Sequence, residues 1–164
     1  KIMARAKREN KSFIIITSDI DYIQAFDILK YRLENHMWGL HKNTRGKLKI
    51  YSGCNLIFYL AGRKKLAQHL VATAKIKAIS HSFSRSDLNL YTFNLSYCTQ
   101  IPEIKILLEQ IEYFKSPIYI KDHTKNLELF PKKPFLKWGV YLQGGIKQIS
   151  LKDYNYIVKI GSER

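Results

Sequence analysis

The sequence predicts one mixed α/β domain of the α+β class, with helices flanking a small, curved, barrel-like β-sheet. Its 164 residues match the usual size of a single domain, and the hydrophobic fraction of 46% is enough to build a core. The apolar runs are strand-sized, and the connections between consecutive strands are short. Short connections favour a curled antiparallel sheet rather than a doubly wound parallel sheet. We expect a basic arm over residues 1–11, the domain over 12–160 and a tail over 161–164.

In the first half of the chain, the strands are predicted from apolar content and the helix from periodicity. Residues 12–17 are apolar throughout, which predicts a central strand covered on both faces. Apolar side chains then recur at helical spacing, after Ser18 or Asp19 as the capping residue. The predicted order is a strand over 12–17, a helix over 20–33, a basic loop over 38–49, and strands over 55–61 and 66–79.

In the second half, two segments are assigned by the period of their apolar residues. Residues 88–95 alternate in polarity, which predicts a strand. The apolar side chains after Pro102 follow an i, i+3, i+4, i+7 stripe that ends at Pro117, which predicts a helix. The predicted order is a loop over 80–87, a strand over 88–99, a helix over 102–116, a loop over 118–135, a strand over 136–142, and a helix over 151–160 capped by Ser150.

The strongest global feature is charge. Lys and Arg together number 28 against 13 Asp and Glu, a formal net charge of +15. A field of this sign attracts phosphate backbones and accelerates encounter with them. The alternative is that the lysines reflect an AT-rich genome and serve only as a soluble surface. No run of 18 apolar residues occurs, so no membrane partner is expected.

Catalytic and metal-binding signatures are absent from the sequence. It contains no Gly-rich phosphate loop, no Gly-x-Ser-x-Gly elbow and no His pair at metal-ligand spacing. The acidic pair Asp19 and Asp21 lies at a predicted helix start, where capping explains it. The two cysteines, Cys54 and Cys98, predict buried thiols in a reducing, cytoplasmic compartment, with one disulfide as the alternative. We therefore predict no enzyme activity, no metal and no cofactor.

Two tryptophans remain as candidate contacts for a ligand. Trp38 and Trp138 are each followed by glycine and lie near cationic side chains. An indole beside positive charge suits stacking on an unpaired or extruded base. The alternative is that each ring packs on the end of the barrel, and the strand-like neighbours of Trp138 favour packing there. Trp38 is the stronger candidate for stacking.

A series of short motifs follows one order and spacing along the chain. One of them, residues 37–40, reads Met-Trp-Gly-Leu after the first predicted helix. The segments in the series are residues 13–19, 37–40, 52–60, 70–76, 108–114, 138–146 and 149–154. In their order and spacing, over roughly residues 12 to 160, the chain resembles the EVE domain, a member of the PUA-like superfamily and a relative of the YTH domain.

The resemblance implies a small curved barrel that holds a modified base in an aromatic-lined pocket. In prokaryotes, domains of this family often join nucleases that restrict modified DNA. Transferred onto this sequence, the resemblance implies a base pocket made of Thr17, Ser18, Asp19, Trp38, Gly39, Leu40, Tyr59 and Trp138. Trp38 corresponds to the pocket tryptophan, and the turn at residues 17–19 faces the edge of the base.

We thus expect a module that recognises a modified base of the methylated cytosine or adenine class, in DNA rather than RNA. Phosphate binding is assigned to the basic arm and to Arg45, Lys47, Arg63, Lys64, Lys65, Lys132 and Lys133. The alternatives are a PUA-like domain that binds nucleic acid without selectivity, the targeting domain of a modification-dependent nuclease, and a protein-interaction domain. The pocket hypothesis requires an open Trp38 ring, because a sealed ring would leave only a generic polyanion binder.

Overall fold

A computed structural model describes residues 10–94, 100–131 and 138–163 of the chain. Its described part contains six strands, three α-helices and several 3₁₀ turns. In chain order they are β1 (Ser12–Thr17), α1 (Ala25–Glu34), β2 (Met37–Leu40), β3 (Asn55–Leu60), β4 (His69–Ser80), α2 (Arg85–Tyr91), β5 (Ile104–Tyr119), β6 (Ile146–Ile149) and α3 (Leu151–Ser162).

The six strands form one sheet in the order β2-β5-β4-β3-β1-β6. Only the pair β1 and β3 runs parallel among these pairings, and the other four are antiparallel. The register shifts at three places between β4 and β5 and at one place between β3 and β4. Such bulges increase strand twist, so the sheet curls into a half-barrel. The α+β class and the curved sheet with flanking helices are confirmed.

Two hydrophobic cores lie on the two faces of the sheet. The inner core contains Phe13 and Ile15 of β1 together with Leu29 of α1. The outer core contains Ile14 of β1 together with Ile157 of α3. Successive residues of a strand point to opposite faces, so an apolar strand between two cores is buried throughout. The prediction for β1 is confirmed in both its bounds and its double burial.

Helix α1 begins five residues later than the helix predicted from residue 20. Ile20 and Ile23 instead exchange backbone hydrogen bonds across a tight turn, and Asp21 adopts a φ of 51° within it. The basic loop predicted over 38–49 is also wrong at its start, because residues 37–40 form β2. Strands β3 and β4 and helix α3 are confirmed, and the Oγ of Ser150 accepts a hydrogen bond from the Asp153 N–H as the cap of α3.

The sequence periods are misleading in the second half. The strand predicted over 88–99 begins as helix α2, whose N-terminus has a capping box between Ser84 and Asp87; residues 95–99 lie outside the described residues. The helix predicted over 102–116 is β5, in which Ile104 and Ile106 are buried and Leu107 is 39% exposed. The described part of the strand predicted over 136–142 is a 3₁₀ helix, Trp138–Leu142. Strand β6 was not predicted.

The thiol of Cys54 is buried and forms no disulfide, as predicted. Cys98 lies outside the described residues. None of the helices in the described ranges combines the length and apolar character needed to cross a membrane.

Candidate nucleic-acid interface

The Trp38 indole is sealed inside the inner core, so the prediction of an open ring is wrong. Residue 38 pairs with Ile106 of β5, and this pairing places it in a strand with all four residues buried. The ring is 3% exposed, and the Phe58 ring lies 5.2 Å from it between centroids. Strand pairing with a distant segment therefore decides the environment of this side chain.

The same indole also contacts a buried guanidinium group. Arg32 is only 9% exposed. Its Cζ lies 4.8 Å from the ring centroid of Trp38 and 3.7 Å from the ring centroid of Tyr91. Its Nε donates a hydrogen bond of 3.0 Å to the Tyr91 carbonyl. We call Arg32, Trp38 and Tyr91 the Arg32 stack. A planar group of the protein thus already covers aromatic surface that a base would need.

Gly39 and Leu40, the predicted pocket wall, also belong to the packed interior. Leu40 is buried, and a Cβ on Gly39 would come within 2.7 Å of the Pro102 ring. The Gly39 carbonyl accepts a hydrogen bond of 3.2 Å from the Tyr91 hydroxyl. Packing against Pro102 therefore accounts for the glycine at position 39, and contact with a ligand is not needed to explain it.

The predicted turn at residues 17–19 makes structural contacts. The Asp19 carboxylate accepts hydrogen bonds from the Ala25 N–H at 2.8 Å and from the Arg63 N–H at 3.2 Å, so both oxygens are used. It thereby joins the start of α1 to the β3–β4 loop. Ser18 is exposed, and the buried Thr17 Oγ1 has no hydrogen-bond partner among the described residues.

An open pocket of about 370 Å³ lies beyond the carboxyl end of β3. Two of the eight predicted base-pocket residues, Tyr59 and Trp138, line it, whereas Trp38 belongs to the inner core on the other face of the sheet. We call this cavity the Trp138 pocket. Its lining consists of Tyr59, Ala61, Gly62, Gln68, Trp138, Gly139, Leu142 and Gln143.

Aromatic packing fixes one side of the Trp138 pocket. The Trp138 ring meets Phe130 edge to face at 6.3 Å, and this contact supports the 3₁₀ turn that carries it. Tyr59 is 3% exposed, and burial, assisted by the nearby Tyr119, raises the pKa of its hydroxyl to about 12. The Tyr59 phenol is therefore neutral at physiological pH.

Two glutamines in the lining, Gln68 and Gln143, were not identified from the sequence. Both lie in loops, where side chains follow no period that would indicate a shared surface. The only local signal is that Gln143 precedes the Gly144-Gly145 pair. Amide side chains carry both donors and acceptors, so the pocket can pair with the edge of a polar ring.

Cationic side chains follow directly from the wall of the Trp138 pocket. Arg63, Lys64 and Lys65 come after the lining residue Gly62, and all three are exposed. A Cβ on Gly62, whose φ is 98°, would collide with the Asp19 carboxylate, so this glycine lets the two loops meet. We call Arg63, Lys64 and Lys65 the basic rim.

The remaining predicted phosphate contacts have different environments. Arg45 is exposed, and the preceding residue, Thr44, packs near Gly145. Gly145 lies two residues after Gln143 of the pocket lining. Lys47 instead forms an ion pair with Glu103. Lys132, Lys133 and residues 1–9 of the basic arm lie outside the described residues. Within the described ranges, no three His, Cys, Asp or Glu side chains are grouped to hold a metal ion.

Comparison with known proteins identifies the fold. No family model matches the sequence, and no curated protein matches it. Among solved structures, the N-terminal domain of Staphylothermus marinus McrB superposes with a TM-score of 0.60 at 10% identity, covering 96% of this chain and 98% of that one. The YTH domain of Zygosaccharomyces rouxii MRB1, in complex with N6-methyladenosine RNA, gives 0.57 at 9% identity, covering 98% and 92%.

Human THYN1, in complex with 5-methylcytosine-containing DNA, superposes with a TM-score of 0.56 at 12% identity, covering 94% of this chain and 99% of that one. The chain has the PUA-like fold. The PUA-like fold expected from the sequence is thus confirmed. Identities this low establish the fold of the PUA-like domain, and its chemistry must be argued from its own residues.

Proposed function

We propose that this PUA-like domain binds nucleic acid, DNA rather than RNA, and takes one unstacked base into the Trp138 pocket. The observation that carries the proposal is an open aromatic pocket whose lining residue Gly62 leads along the chain directly into the exposed basic rim. The rim supplies charge for phosphate groups, and the pocket supplies an indole and two amides for a base. The Arg32 stack has no part in this proposal, because Trp38 is closed to solvent.

The dimensions and lining of the Trp138 pocket fit a nucleobase. Its volume of about 370 Å³ lies inside the range of roughly 300–1,000 Å³ found for small-ligand sites. Stacking of a base on an aromatic side chain contributes about 1–3 kcal/mol. The partly exposed Trp138 is the ring available for such a contact.

The net charge of +15 accounts for affinity without sequence preference. Contacts to phosphates position a protein on nucleic acid, whereas contacts to bases select the sequence. Extruding a base from a duplex costs a few kcal/mol and costs least where pairing is already absent. The pocket should therefore fill first at mismatched, unpaired or single-stranded positions.

Recognition of a methylated cytosine or adenine is the finer part of the proposal. The support is the fold shared with a YTH domain crystallised with N6-methyladenosine RNA and with THYN1 crystallised with 5-methylcytosine DNA. A buried methyl group contributes about 0.8 kcal/mol, which is roughly fourfold in affinity. We therefore expect modest methyl selectivity from burial alone. The likeness to an McrB N-terminal domain supports a role in targeting a restriction nuclease.

The test uses short duplexes in which the central nucleotide lies opposite an abasic site. That nucleotide is cytosine, 5-methylcytosine, adenine, N6-methyladenine or a second abasic site, and affinity is measured by fluorescence anisotropy at two salt concentrations. We expect tighter binding whenever a central base is present. Trp138→Ala should remove that gain and leave the salt dependence unchanged.

Val140→Ala is the matched control, because Val140 lies in the same 3₁₀ turn, is exposed and does not line the pocket. It should bind like the wild type. If Trp138→Ala keeps the gain from a central base, the pocket assignment is wrong. If the wild type shows no gain, the domain is a generic polyanion binder.

A further inference from the structure

We infer that Gln68 selects the base in the Trp138 pocket, favouring cytosine-type over adenine-type rings, and that Tyr119 is the positioning residue that orients it. This inference rests on the proposed function. It addresses the choice between the two base classes that the sequence leaves open.

The backbone of Gln68 is held firmly at the pocket wall. Its φ of 64° lies in the left-handed region, which is sparsely populated by residues other than glycine. Its N–H donates to the Leu60 carbonyl at 2.6 Å, and its carbonyl accepts from the Ile120 N–H at 3.0 Å. Backbone strain of this kind concentrates at binding sites, where the surrounding structure maintains it. The Cα–Cβ bond of Gln68 thus has a fixed direction.

The side chain of Gln68 is tethered at its oxygen. The Tyr119 hydroxyl donates a hydrogen bond to Oε1 at 3.3 Å, and the Tyr119 ring lies 5.2 Å from the ring of His69. The Nδ1 of His69 lies 2.8 Å from the Ala67 carbonyl, which can only accept, so Nδ1 carries the proton. A connected series of contacts therefore holds the Tyr119 hydroxyl in place.

This arrangement assigns a defined polarity to the pocket wall. Because Oε1 is engaged by Tyr119, the group that Gln68 offers to a ligand is its NH₂, which has two donor hydrogens and no acceptor. The second amide, Gln143, is exposed and so can turn to suit either partner. Gln68 is thus the wall residue with a fixed preference.

A fixed NH₂ group distinguishes cytosine from adenine. The Watson–Crick edge of cytosine has two acceptors side by side, N3 and O2, with the N4 amino donor at the far end, so both hydrogens of an NH₂ group can be accepted away from N4. The corresponding edge of adenine has one acceptor, N1, next to the N6 amino group, which is itself a donor and would face the Gln68 NH₂. A methyl group on cytosine C5 lies away from the N3/O2 edge. The same contact therefore accepts cytosine and 5-methylcytosine alike.

The first experiment compares the duplexes with central cytosine and central adenine, each opposite an abasic site. We expect the wild type to prefer cytosine by about tenfold, the lower part of the range for one well-made base contact. Gln68→Glu replaces the donor by a carboxylate acceptor, which can pair with the N4 amino group of cytosine or the N6 amino group of adenine, and should therefore remove the preference. If that variant does not fold, Gln68→Asn serves instead, since the shortened amide should reduce the preference towards equality.

Tyr119→Phe tests the positioning role, because it frees the Gln68 amide to rotate. The ratio of cytosine to adenine affinity should fall towards one, while binding of the abasic duplex stays unchanged. Tyr113→Phe is the matched control on the same strand, since Tyr113 is exposed and lies outside the pocket lining. A retained preference in Tyr119→Phe would overturn the positioning role.

The two proposals fail in distinguishable ways. If the wild type binds cytosine and adenine equally, and Trp138→Ala still removes the gain from a central base, the selection by Gln68 is wrong and the pocket stands. If no central base improves binding, the pocket proposal fails and the selection proposal fails with it.

Discussion

Trp38 and Trp138 have similar sequence contexts and opposite environments. Each is followed by glycine and lies among cationic residues. Trp38 lies in a strand between Phe58 and Arg32, whereas Trp138 contacts Phe130 edge to face and lines an open pocket. The comparison shows that local composition does not determine whether an aromatic ring is available for a ligand. The backbone that carries the ring determines this, because β2 is paired within the sheet and Trp138 belongs to a 3₁₀ turn outside the six strands.

The difference assigns the two rings different roles. Trp38 packs in the inner core and makes a cation–π contact with Arg32, whereas Trp138 keeps part of its ring exposed at the pocket proposed to bind a base. Variants of one ring or its surroundings, measured against variants of the other, test this division.

The largest effect should come from truncating the buried ring. Removing a buried Trp side chain costs about 3–5 kcal/mol of unfolding free energy, and we expect this decrease for Trp38→Ala. Trp138→Ala should cost about 1 kcal/mol, since its ring is partly exposed. Urea unfolding of both variants measures the contrast. Equal decreases would show that the two environments are not as different as the structure indicates.

The next effect should come from the Arg32 stack. Arg32→Lys keeps the charge and removes both the planar group over two rings and the Nε hydrogen bond to Tyr91. We expect the unfolding free energy to fall by about 2 kcal/mol, the size of a desolvated cation–π contact. Arg63→Lys, an exposed control, should stay within about 0.5 kcal/mol of the wild type. An unchanged midpoint for Arg32→Lys would mean that the stack contributes no stability.

The fold could be predicted from the sequence where one local signal was unambiguous. Strands β1 and β3 are short apolar runs rich in β-branched and aromatic residues, and helix α3 has a capping serine at residue 150. Where two periods competed, the prediction was wrong. The apolar residues at 104, 107 and 108 fit a helical stripe, and those at 104, 106 and 108 fit a strand. Pairing of β5 with both β2 and β4 decided in favour of the strand.

The sequence analysis named two aromatic residues that line the candidate pocket, missed its two glutamines and misplaced Trp38. Tyr59 and Trp138 were proposed as pocket residues from the resemblance, and both line the open cavity. Gln68 and Gln143 come from loops that meet only after the chain has folded. The burial of Trp38 depends on β5, far along the chain, and on Arg32. The helical pattern predicts that Arg32 lies in a helix but does not indicate which side chains it contacts.

The salt dependence of DNA binding should separate the basic rim from the Trp38 region. Replacing Arg63, Lys64 and Lys65 with glutamine should lower the slope of log affinity against log salt by about 0.9 for each phosphate that the protein no longer neutralises. Lys47→Gln should change the slope little, because Lys47 is paired with Glu103, whose N–H bonds to the Leu40 carbonyl of β2. A larger change from Lys47 would assign phosphate binding to the loop that contains Lys47 rather than to the basic rim.

The smallest effect concerns His41, which follows the Trp38 strand. The His41 ring meets the Tyr91 ring edge to face. Burial lowers the pKa of His41 below its ordinary value of 6.5, and the charge of Arg32 lowers it further. The unfolded chain therefore takes up a proton before the folded chain does. Stability should be complete above pH 6.5 and fall as the pH drops from there towards the folded pKa. Urea midpoints for His41→Asn should vary less over this window; an unchanged pH profile would contradict the shift.

The most direct test of the central claim follows the two indole N–H signals in a ¹⁵N-labelled sample, since the chain contains only two tryptophans. Trp138→Phe assigns the signals, and titration uses the duplex with central cytosine opposite an abasic site, with the doubly abasic duplex as reference. Base entry into the Trp138 pocket should shift the Trp138 signal in the first duplex alone and leave Trp38 unmoved. A base-dependent shift of Trp38 with a stationary Trp138 would contradict the account.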